Sequence, residues 1–264
     1  MLDFDLLKKS LSGLFSEDKI FLYELTDSTN TRALEYGRAG GMTPAVFIAE
    51  EQTGGRGRRG RSFVSNPDAG IFITFLLSPQ KVGGTEGATA FAAVSAREAI
   101  IDSAKVCTEI KWVNDLYAKT PSNENKKLAG ILAESVIENS KVSKIAIGMG
   151  INVYKNAISE EISDIATSIE EASGKRINRE DLILSLSANM LKEKSPEKIL
   201  GEYRKNSFTV GKTVEVRPHD APPYEAFAEE ILEDYSLLIR KDDGERQRIF
   251  SGEVSIKSKE EQKK

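Results

Sequence analysis

A run of glycines and arginines, Gln52-Thr-Gly-Gly-Arg-Gly-Arg-Arg-Gly-Arg61, is the segment of the chain best suited to bind an anion. Four arginines fall within six of its residues. Glycines let backbone N–H groups approach a phosphate, and each arginine presents a planar fork of donors to the phosphate oxygens. Two like charges about 4 Å apart repel by about 4 kcal/mol at an effective dielectric of about 20. We therefore expect the segment to be loose when empty and to close over an anionic ligand.

Other interpretations of this segment remain open. Gly55-x-Gly57-x-x-Gly60 fits the dinucleotide fingerprint, but no helical pattern follows it in residues 62–67. A kinase glycine-rich loop would need catalytic-loop and metal-binding motifs downstream, and the sequence has neither. A nucleic-acid-binding arginine–glycine segment usually lies in a tail, whereas this one is inserted between two predicted core strands. A solvated charged turn is the remaining alternative.

The chain has one histidine, His219, and one cysteine, Cys107. This count excludes an intramolecular disulfide, a thiolate zinc cluster and a multi-histidine metal site. It also argues against a serine–histidine–aspartate triad, because His219 lies in a proline-rich C-terminal turn. Cys107 is expected to be a small buried thiol. Any enzymatic chemistry must therefore run without imidazole.

The composition is that of an ordinary soluble globular protein, with 39% hydrophobic and 30% charged residues among 264. No apolar run approaches the roughly 18 residues that cross a bilayer, and the first residues lack the pattern of a signal peptide. We expect a cytoplasmic protein with no membrane partner. The formal net charge of −4 argues against non-specific nucleic-acid binding over the whole surface.

Hydrophobic patterning predicts the elements that must position the arginine segment. Strands are predicted at 20–26, 45–49, 70–77, 108–118, 128–138 and 142–153. Helices are predicted at the N-terminus and at 30–38, 86–105, 165–174, 179–193 and 196–206. Short strands with hairpins and intervening helices predict an α+β fold, a mixed β-sheet packed with helices.

The character of the chain changes near residue 207. Short β runs separated by turns fill residues 210–256, and the last residues are highly charged. We predict three parts: residues 1–206 as the larger domain, residues 207–257 as a small β-barrel domain, and residues 258–264 as a charged tail that frays.

Five motifs occur along the chain in an order and spacing that carry a family resemblance. They are Asp27–Asn30, Glu51–Arg61, Ile110–Tyr117, Lys127–Glu134 and Gly148–Asn152, with weaker echoes at Ile165–Ser168 and Gly252–Ser255. Together they resemble the biotin–protein ligase family over essentially the whole chain. The resemblance implies a catalytic domain of the class II synthetase-like biotin/lipoate ligase type, followed by a small SH3-like barrel.

The resemblance also implies an activity. Biotin and ATP would be the substrates, with Mg²⁺, for forming biotinyl-5'-AMP and passing biotin to a lysine of a biotin carboxyl carrier protein, such as that of acetyl-CoA carboxylase. Only about 19 residues precede the first predicted strand, so the chain resembles members that lack an N-terminal DNA-binding domain, and no DNA partner is expected. Exposed edge strands make a homodimer possible. A lipoate–protein ligase is the alternative within the same fold.

The resemblance implies roles for individual residues. The biotin-binding positions would be Ser28, Thr29, Asn30, Gln52, Arg56, Gly57, Arg58 and Lys127. The nucleotide-binding positions would be Arg56, Arg58, Phe63, Lys111, Asn114, Asp115, Asn152, Thr167 and Ser168. Lys127, Arg58 and Asp115 would be catalytic. Two alternatives stay open: residues 27–30 could be only a helix cap, and Lys127 could be merely exposed.

The sequence departs from the family pattern at three places. The family usually has tryptophan where this chain has Phe63, so an indole donor is absent. It usually has proline where this chain has Val113, which relaxes a rigid turn. Residues 225–231 lack the glycines that the family's small barrel often carries. Trp112 is expected to be a core residue rather than a surface on which the nucleotide stacks.

The first testable prediction concerns closure of the arginine segment. Backbone amides of residues 53–62 should exchange hydrogen rapidly without ligand and slowly with a bound acyl-adenylate, because the anion removes the repulsion among the arginines. Hydrogen–deuterium exchange followed by mass spectrometry measures this. Equal protection in both states would contradict the prediction.

Overall fold

The computed structural model describes residues 1–60, 66–218, 221–250 and 253–256. The positions predicted at Phe63 and Gly252, the lone His219 and the tail 258–264 lie outside the described residues. Within the described ranges, no helix is both long enough and apolar enough to cross a bilayer.

The larger part of the chain is built on a sheet that has seven strands in the described residues. They are β1 (Ile20–Thr26), β2 (Ala45–Gln52), β3 (Gly70–Leu77), β4 (Thr108–Lys111), β5 (Asp115–Lys119), β6 (Asn125–Glu138) and β7 (Lys141–Asn152). Their order is β1-β2-β3-β7-β6-β5-β4. β1 and β2 are parallel, and the other neighbouring pairs are antiparallel. The predicted mixed sheet is confirmed.

Helices cover both faces of this sheet. They are α1 (Phe4–Leu11), α2 (Thr29–Arg38), α3 (Gly84–Ala104), α4 (Ile169–Ser173), α5 (Arg179–Leu191) and α6 (Pro196–Lys205). The alanine-rich α3 packs in the main core, where small side chains allow close contact with the sheet and with α5. α2 lies on the opposite face and buries Leu34 against Phe47, Leu76 and Val136. Alternate residues along β2 and β3 therefore serve two separate apolar clusters.

The structure differs from the predicted elements in two places. The predicted strand 108–118 is broken into β4 and β5 by a turn at residues 112–114, whose Trp112–Val113 peptide bond is cis. The predicted helix 165–174 is shortened to α4, because residues 165–167 instead pair their backbone with Lys127. The N–H of Lys127 donates to Ile165 O, and its O accepts from the Thr167 N–H. Backbone groups that hydrogen-bond in this bridge cannot also make the hydrogen bonds of a helix.

The prediction for Cys107 is wrong: its thiol is exposed. Lys105 ends α3 in the left-handed conformation, with φ +58°. Cys107 lies in the short connection between α3 and β4, where the preceding Val106 is buried instead. An apolar residue type does not by itself determine which side of a connection faces the core.

A second, smaller sheet follows α6. Its strands in the described residues are β8 (Thr213–Arg217), β9 (Tyr224–Ile231), β10 (Leu237–Arg240), β11 (Arg246–Ile249) and β12 (Glu253–Ile256). They are ordered β11-β10-β9-β8-β12, and every pair is antiparallel. This agrees with the predicted small C-terminal SH3-like domain, whose boundary at residue 207 stays a prediction. Trp112 joins the two sheets, because its indole Nε1 donates to Tyr235 O at 2.9 Å.

A buried ion pair ties α5 to the larger sheet. Arg179 Nη1 and Nη2 donate to the Glu50 carboxylate at 2.8 and 3.1 Å, and both side chains are about 95% buried, at 4% and 5% exposure. The same carboxylate accepts the backbone N–H groups of Leu2 and Asp68. Burial alone raises the pKa of Glu50, but these hydrogen bonds outweigh it and hold that pKa below its usual value.

The second prediction tests this pair. Arg179→Met should lower the free energy of unfolding at pH 7 by about 3–5 kcal/mol, because it leaves an unpaired buried carboxylate. The lowered pKa of Glu50 means that the stabilisation is present above its unfolded pKa and is lost as pH falls through the folded value. The difference between wild type and variant should therefore shrink from pH 7 to pH 4. Denaturant unfolding at several pH values measures it.

The exposed Arg38 on α2 supplies the control. Arg38→Met should change stability by less than about 0.5 kcal/mol at either pH. If the difference in free energy of unfolding between Arg179→Met and wild type stays constant with pH, the proposed role of Glu50 is ruled out.

Candidate active site

One cavity of about 570 Å³ opens beside the larger sheet and collects most of the predicted site residues. Those that line it are Ser28, Thr29, Asn30, Gln52, Arg56, Gly57, Arg58, Lys111, Asn114, Asp115, Lys127 and Asn152. They come from the β1–α2 junction, the segment after β2, the β4–β5 hairpin, and strands β6 and β7. Residues separated by more than a hundred positions in sequence therefore face a single space.

The end of the cavity at the β1–α2 junction is neutral and polar. Thr29 donates to Gln52 Oε1 through its N–H and its hydroxyl, at 2.8 and 3.1 Å. The Thr74 hydroxyl lies 2.8 Å from both Thr29 Oγ1 and Asn30 Oδ1, and its one proton serves one of them at a time. Ser28 occupies the N-cap position of α2, but its hydroxyl makes no capping bond. These side chains form a network of hydrogen-bonding groups without a formal charge.

A close backbone approach fixes the position of Asn30. A Cβ added to Gly148 would lie 2.1 Å from Asn30 Oδ1 and 2.8 Å from its Cγ, so only glycine leaves room there. Asn30 is buried, and its Nδ2 donates to Leu132 O at 3.3 Å and to Glu134 Oε2 at 2.9 Å. Both ends of the amide therefore have partners on the sheet.

The other end of the cavity carries positive charge. Lys127 Nζ lies 2.8 Å from Asp115 Oδ1, and its side chain is about one-third exposed. Arg58 Nη1 donates to Asn114 Oδ1 at 2.9 Å, and Arg56 Nη2 donates to Glu134 Oε1 at 2.8 Å. The repulsion predicted for the arginine segment alone is thus partly offset by these partners. A ligand anion placed among the three cations would meet donors that are already oriented.

Tyr117 lies on β5 and lines the cavity. Burial, together with the Asp115 carboxylate and against the opposing effect of Lys127, raises the pKa of Tyr117 to about 12. Lys111 Nζ donates to its hydroxyl oxygen at 3.3 Å. At neutral pH Tyr117 is therefore a neutral phenol that can hydrogen-bond but cannot serve as a base.

The structure adds lining residues for which no role was predicted: Ala157 and Ile162 lie outside every motif, and the others belong to the two weaker motifs. An apolar wall is formed by Ala157, Ile162, Ile165 and Ala166, and Val254 reaches the cavity from β12. Short aliphatic residues in a connection carry no recognisable signal, because the same residues would be typical of any packed loop. Trp112 is buried, as predicted for a core residue, and it also lines the cavity.

Thr167 and Ser168 lie behind the cavity rather than on its surface. Both are fully buried. Thr167 O accepts from Asn152 Nδ2 at 3.2 Å, and the Ser168 hydroxyl accepts the Glu171 N–H as the cap of α4. Among the described residues, no group of three or more histidine, cysteine, aspartate or glutamate side chains could hold a metal ion.

The known proteins that resemble this chain belong to one family. Residues 22–152 match the model of the biotin/lipoate A/B protein ligase family. The bifunctional ligase/repressor BirA of Bacillus subtilis is 33% identical over 62% of this chain and 50% of its own length. The biotin–[acetyl-CoA-carboxylase] ligase of Mycobacterium tuberculosis is 29% identical over 72% of this chain and 71% of its own.

A solved structure extends the likeness. The biotin protein ligase of Aquifex aeolicus in complex with biotin and ATP superposes with a TM-score of 0.75 and 28% identity, covering 92% of this chain and 99% of that protein. This chain spans about half the length of the first curated relatives that it matches. The family domain and the fold agree across these comparisons, and residues 22–152 form a domain of the biotin/lipoate A/B protein ligase family.

Proposed function

We propose that this protein is an ATP-dependent biotin–protein ligase. It forms biotinyl-5'-AMP from biotin and ATP, then transfers biotin to a lysine ε-amine of a biotin carboxyl carrier domain. One observation carries the proposal: a single cavity joins a neutral hydrogen-bonding end to an end with three cations. Biotin has a neutral ureido ring at one end and a carboxylate at the other. The similarity to a biotin–[acetyl-CoA-carboxylase] ligase and to a biotin protein ligase in complex with biotin and ATP supports the same activity.

The neutral end suits the ureido ring, which has one carbonyl acceptor and two N–H donors. Ser28, Thr29, Asn30 and Gln52 supply hydroxyl and amide groups of both kinds. Their network is already hydrogen-bonded to Thr74 and Glu134, so little side-chain freedom is lost on binding. We assign this end to biotin recognition.

The cationic end suits the first chemical step. A biotin carboxylate oxygen bonds to the α-phosphorus of ATP, and the bond from that phosphorus to pyrophosphate breaks. The carboxylate is already ionised at neutral pH, so no general base is needed. Arg56, Arg58 and Lys127 neutralise the charge on the phosphate, each with hydrogen bonds that contribute about 1.5–3 kcal/mol. The absence of imidazole near the site in the described residues is therefore compatible with this reaction.

In the second step, the amine of the carrier lysine must be directed to the biotinyl carbonyl group. The carrier lysine nitrogen bonds to the biotinyl carbonyl carbon, the bond to AMP breaks, and the amine gives up a proton. Asp115 Oδ1 lies 2.8 Å from Lys127 Nζ. In this proposal the biotin carboxyl and the α-phosphate of ATP meet beside that lysine. The Asp115 carboxylate can receive an incoming ammonium group and then its proton. We assign Asp115 to this role, which requires no covalent enzyme intermediate.

The remaining positions are assigned to the nucleotide. Lys111, Asn114 and Asn152 supply polar contacts, and the apolar wall of Ala157, Ile162 and Ile165 suits a purine base. Thr167 and Ser168 act from behind, by holding Asn152 and the start of α4. Phe63 belongs to this group in the proposal although it lies outside the described residues. Mg²⁺ would enter with the ATP phosphates, because such ions usually keep waters and take one or two protein carboxylates.

Two further assignments accompany the function. Residues 1–206 would form the catalytic domain and residues 207–257 the small barrel, with the charged tail after it. The reaction is placed in the cytoplasm, where ATP and newly made carrier proteins occur together. A nucleic-acid-binding role for the arginine segment fits less well, because Arg56 and Arg58 line the cavity and bond to Glu134 and Asn114.

The third prediction tests the reaction through Lys127. The wild type, mixed with ATP, magnesium, biotin and an apo-carrier domain, should produce a carrier that streptavidin detects on a blot. Lys127→Ala should reduce biotin-dependent ATP–pyrophosphate exchange by at least about a hundredfold, because a donor aimed at the developing charge is removed. Its circular dichroism and melting temperature should stay close to those of the wild type.

Lys119→Ala, an exposed lysine on the neighbouring β5, is the matched control and should leave exchange unchanged. Unchanged exchange in Lys127→Ala would remove Lys127 from the mechanism. Labelling of the carrier with lipoate but not with biotin would replace the proposed function by that of a lipoate–protein ligase.

The fourth prediction tests the neutral end through Gly148. Gly148→Ala should raise the KM for biotin by about tenfold to a hundredfold, because the new methyl group displaces Asn30, and small displacements of positioning groups have effects of this size. Gly201→Ala in α6 is the control, since among the described residues its added Cβ would meet no heavy atom within 4 Å apart from its chain neighbours and the adjacent backbone of its own helix. Steady-state kinetics at saturating ATP measures both, and an equal KM in the two variants would contradict the role of Asn30.

A further inference from the structure

Glu134 joins the two ends of the cavity through one carboxylate. Its Oε1 accepts from Arg56 Nη2 at 2.8 Å, and its Oε2 accepts from Asn30 Nδ2 at 2.9 Å. Arg56 and Asn30 both line the cavity, whereas Glu134 stands behind them on β6. Its side chain is 24% exposed, so the interaction is only partly screened by water.

Asn30 depends on this carboxylate for its orientation. Its Oδ1 faces the Thr74 hydroxyl at 2.8 Å, and Nδ2 has only the longer 3.3 Å bond to Leu132 O besides Glu134. Without Glu134, one amide proton of a buried side chain would lose its partner. The amide could then rotate, and the network beneath the ureido ring would lose its single arrangement.

Arg56 depends on the same group for its position. A guanidinium has five N–H donors, and Glu134 takes one of them through a single bond, which leaves the others available to a ligand. Arg56 is 44% exposed at its side chain and stands two residues from Arg58. Without a nearby negative charge, repulsion within the arginine segment would favour positions away from the cavity.

We propose that Glu134 is a positioning residue that couples biotin recognition to placement of the arginine segment. Biotin held against Asn30 would stabilise the arrangement in which Glu134 also holds Arg56, and the arginine would then be ready for the carboxylate and the phosphate. Glu134 touches no reacting atom, and it acts only through Arg56 and Asn30. This inference rests on the proposed ligase function.

The conservative substitution Glu134→Gln tests both hydrogen bonds of Glu134 with little change in side-chain shape. In Glu134→Gln the amide has one acceptor oxygen, and its NH₂ group meets a donor on the other side. Only one of the two bonds can survive, and the charge that attracts Arg56 is lost. Glu134→Ala removes both bonds. We expect the KM for biotin to rise about tenfold in Glu134→Gln and more in Glu134→Ala, with kcat at saturating biotin and ATP changed by less than about threefold.

A double-mutant cycle separates positioning from general destabilisation. Pyrophosphate exchange is measured for wild type, Glu134→Gln, Arg56→Ala and the double variant, with biotin varied at saturating ATP. If Glu134 acts through Arg56, the KM for biotin of the double variant should exceed that of Arg56→Ala by no more than about twofold. The hydrogen bond between Glu134 and Arg56 is already absent in Arg56→Ala, so the second substitution has little left to remove. Amide exchange of residues 53–60 should also quicken in Glu134→Gln.

Glu138→Gln is the matched control. Glu138 lies on the same strand and pairs with Lys144 at 2.8 Å, away from the cavity. It should leave the KM for biotin and the exchange of residues 53–60 unchanged.

The outcomes separate the two proposals. A wild type that shows no biotin-dependent exchange would defeat the proposed function itself. The role of Glu134 would be overturned if the wild type is active and the effects of Glu134→Gln and Arg56→Ala on the KM for biotin multiply in the double variant. It would also be overturned if Glu138→Gln raised that KM as much as Glu134→Gln does. Either result would leave the ligase function intact. Glu134→Gln matches the shape of the native side chain, so the cycle can be read even if Glu134→Ala does not fold.

Discussion

Positive charge gathered for an anionic ligand must be held by the protein before the ligand arrives, and the site is arranged around that constraint. Each of the three cations at the cavity has a partner on the sheet: Arg56 on Glu134, Arg58 on Asn114 and Lys127 on Asp115. Each partner uses only part of the donor capacity of its cation. The cations are therefore oriented before an anion binds, and an anion can join them without a large rearrangement.

The larger sheet makes this arrangement possible because its longest strands run beside the cavity. β6 carries Lys127 near one end and Glu134 near the other, seven residues apart, and β7 is its antiparallel neighbour. Gly130 on β6 and Gly148 on β7 leave room for Lys127 and Asn30 respectively. A Cβ at Gly148 would displace the Asn30 side chain, and a Cβ at Gly130 would lie 3.3 Å from Lys127 Nζ.

Much of this site could be predicted from sequence, because the residues that contact a ligand occur in compact motifs. Twelve predicted positions line one cavity, and the arginine segment follows β2 directly. The supporting residues could not be predicted in the same way. Thr74 lies in a strand whose pattern indicates only burial, and Glu134 ends the motif Lys127–Glu134 without a predicted role. The role of each depends on which strands become neighbours. A β-bridge to Lys127 kept residues 165–167 extended, and only tertiary structure supplies that partner.

The small C-terminal sheet also belongs to the site, although no predicted catalytic group comes from it. The turn at residues 112–114 is held from that side: the Trp112 N–H donates to Thr209 Oγ1, its indole donates to Tyr235 O, and the Tyr203 hydroxyl donates to Val113 O at 2.8 Å. That turn carries Asn114, the partner of Arg58. The position of the second arginine is thus set by contacts that begin in the small sheet and α6. A barrel joined only by a flexible linker could not fix this turn, and so the two sheets act as one scaffold for the arginine segment.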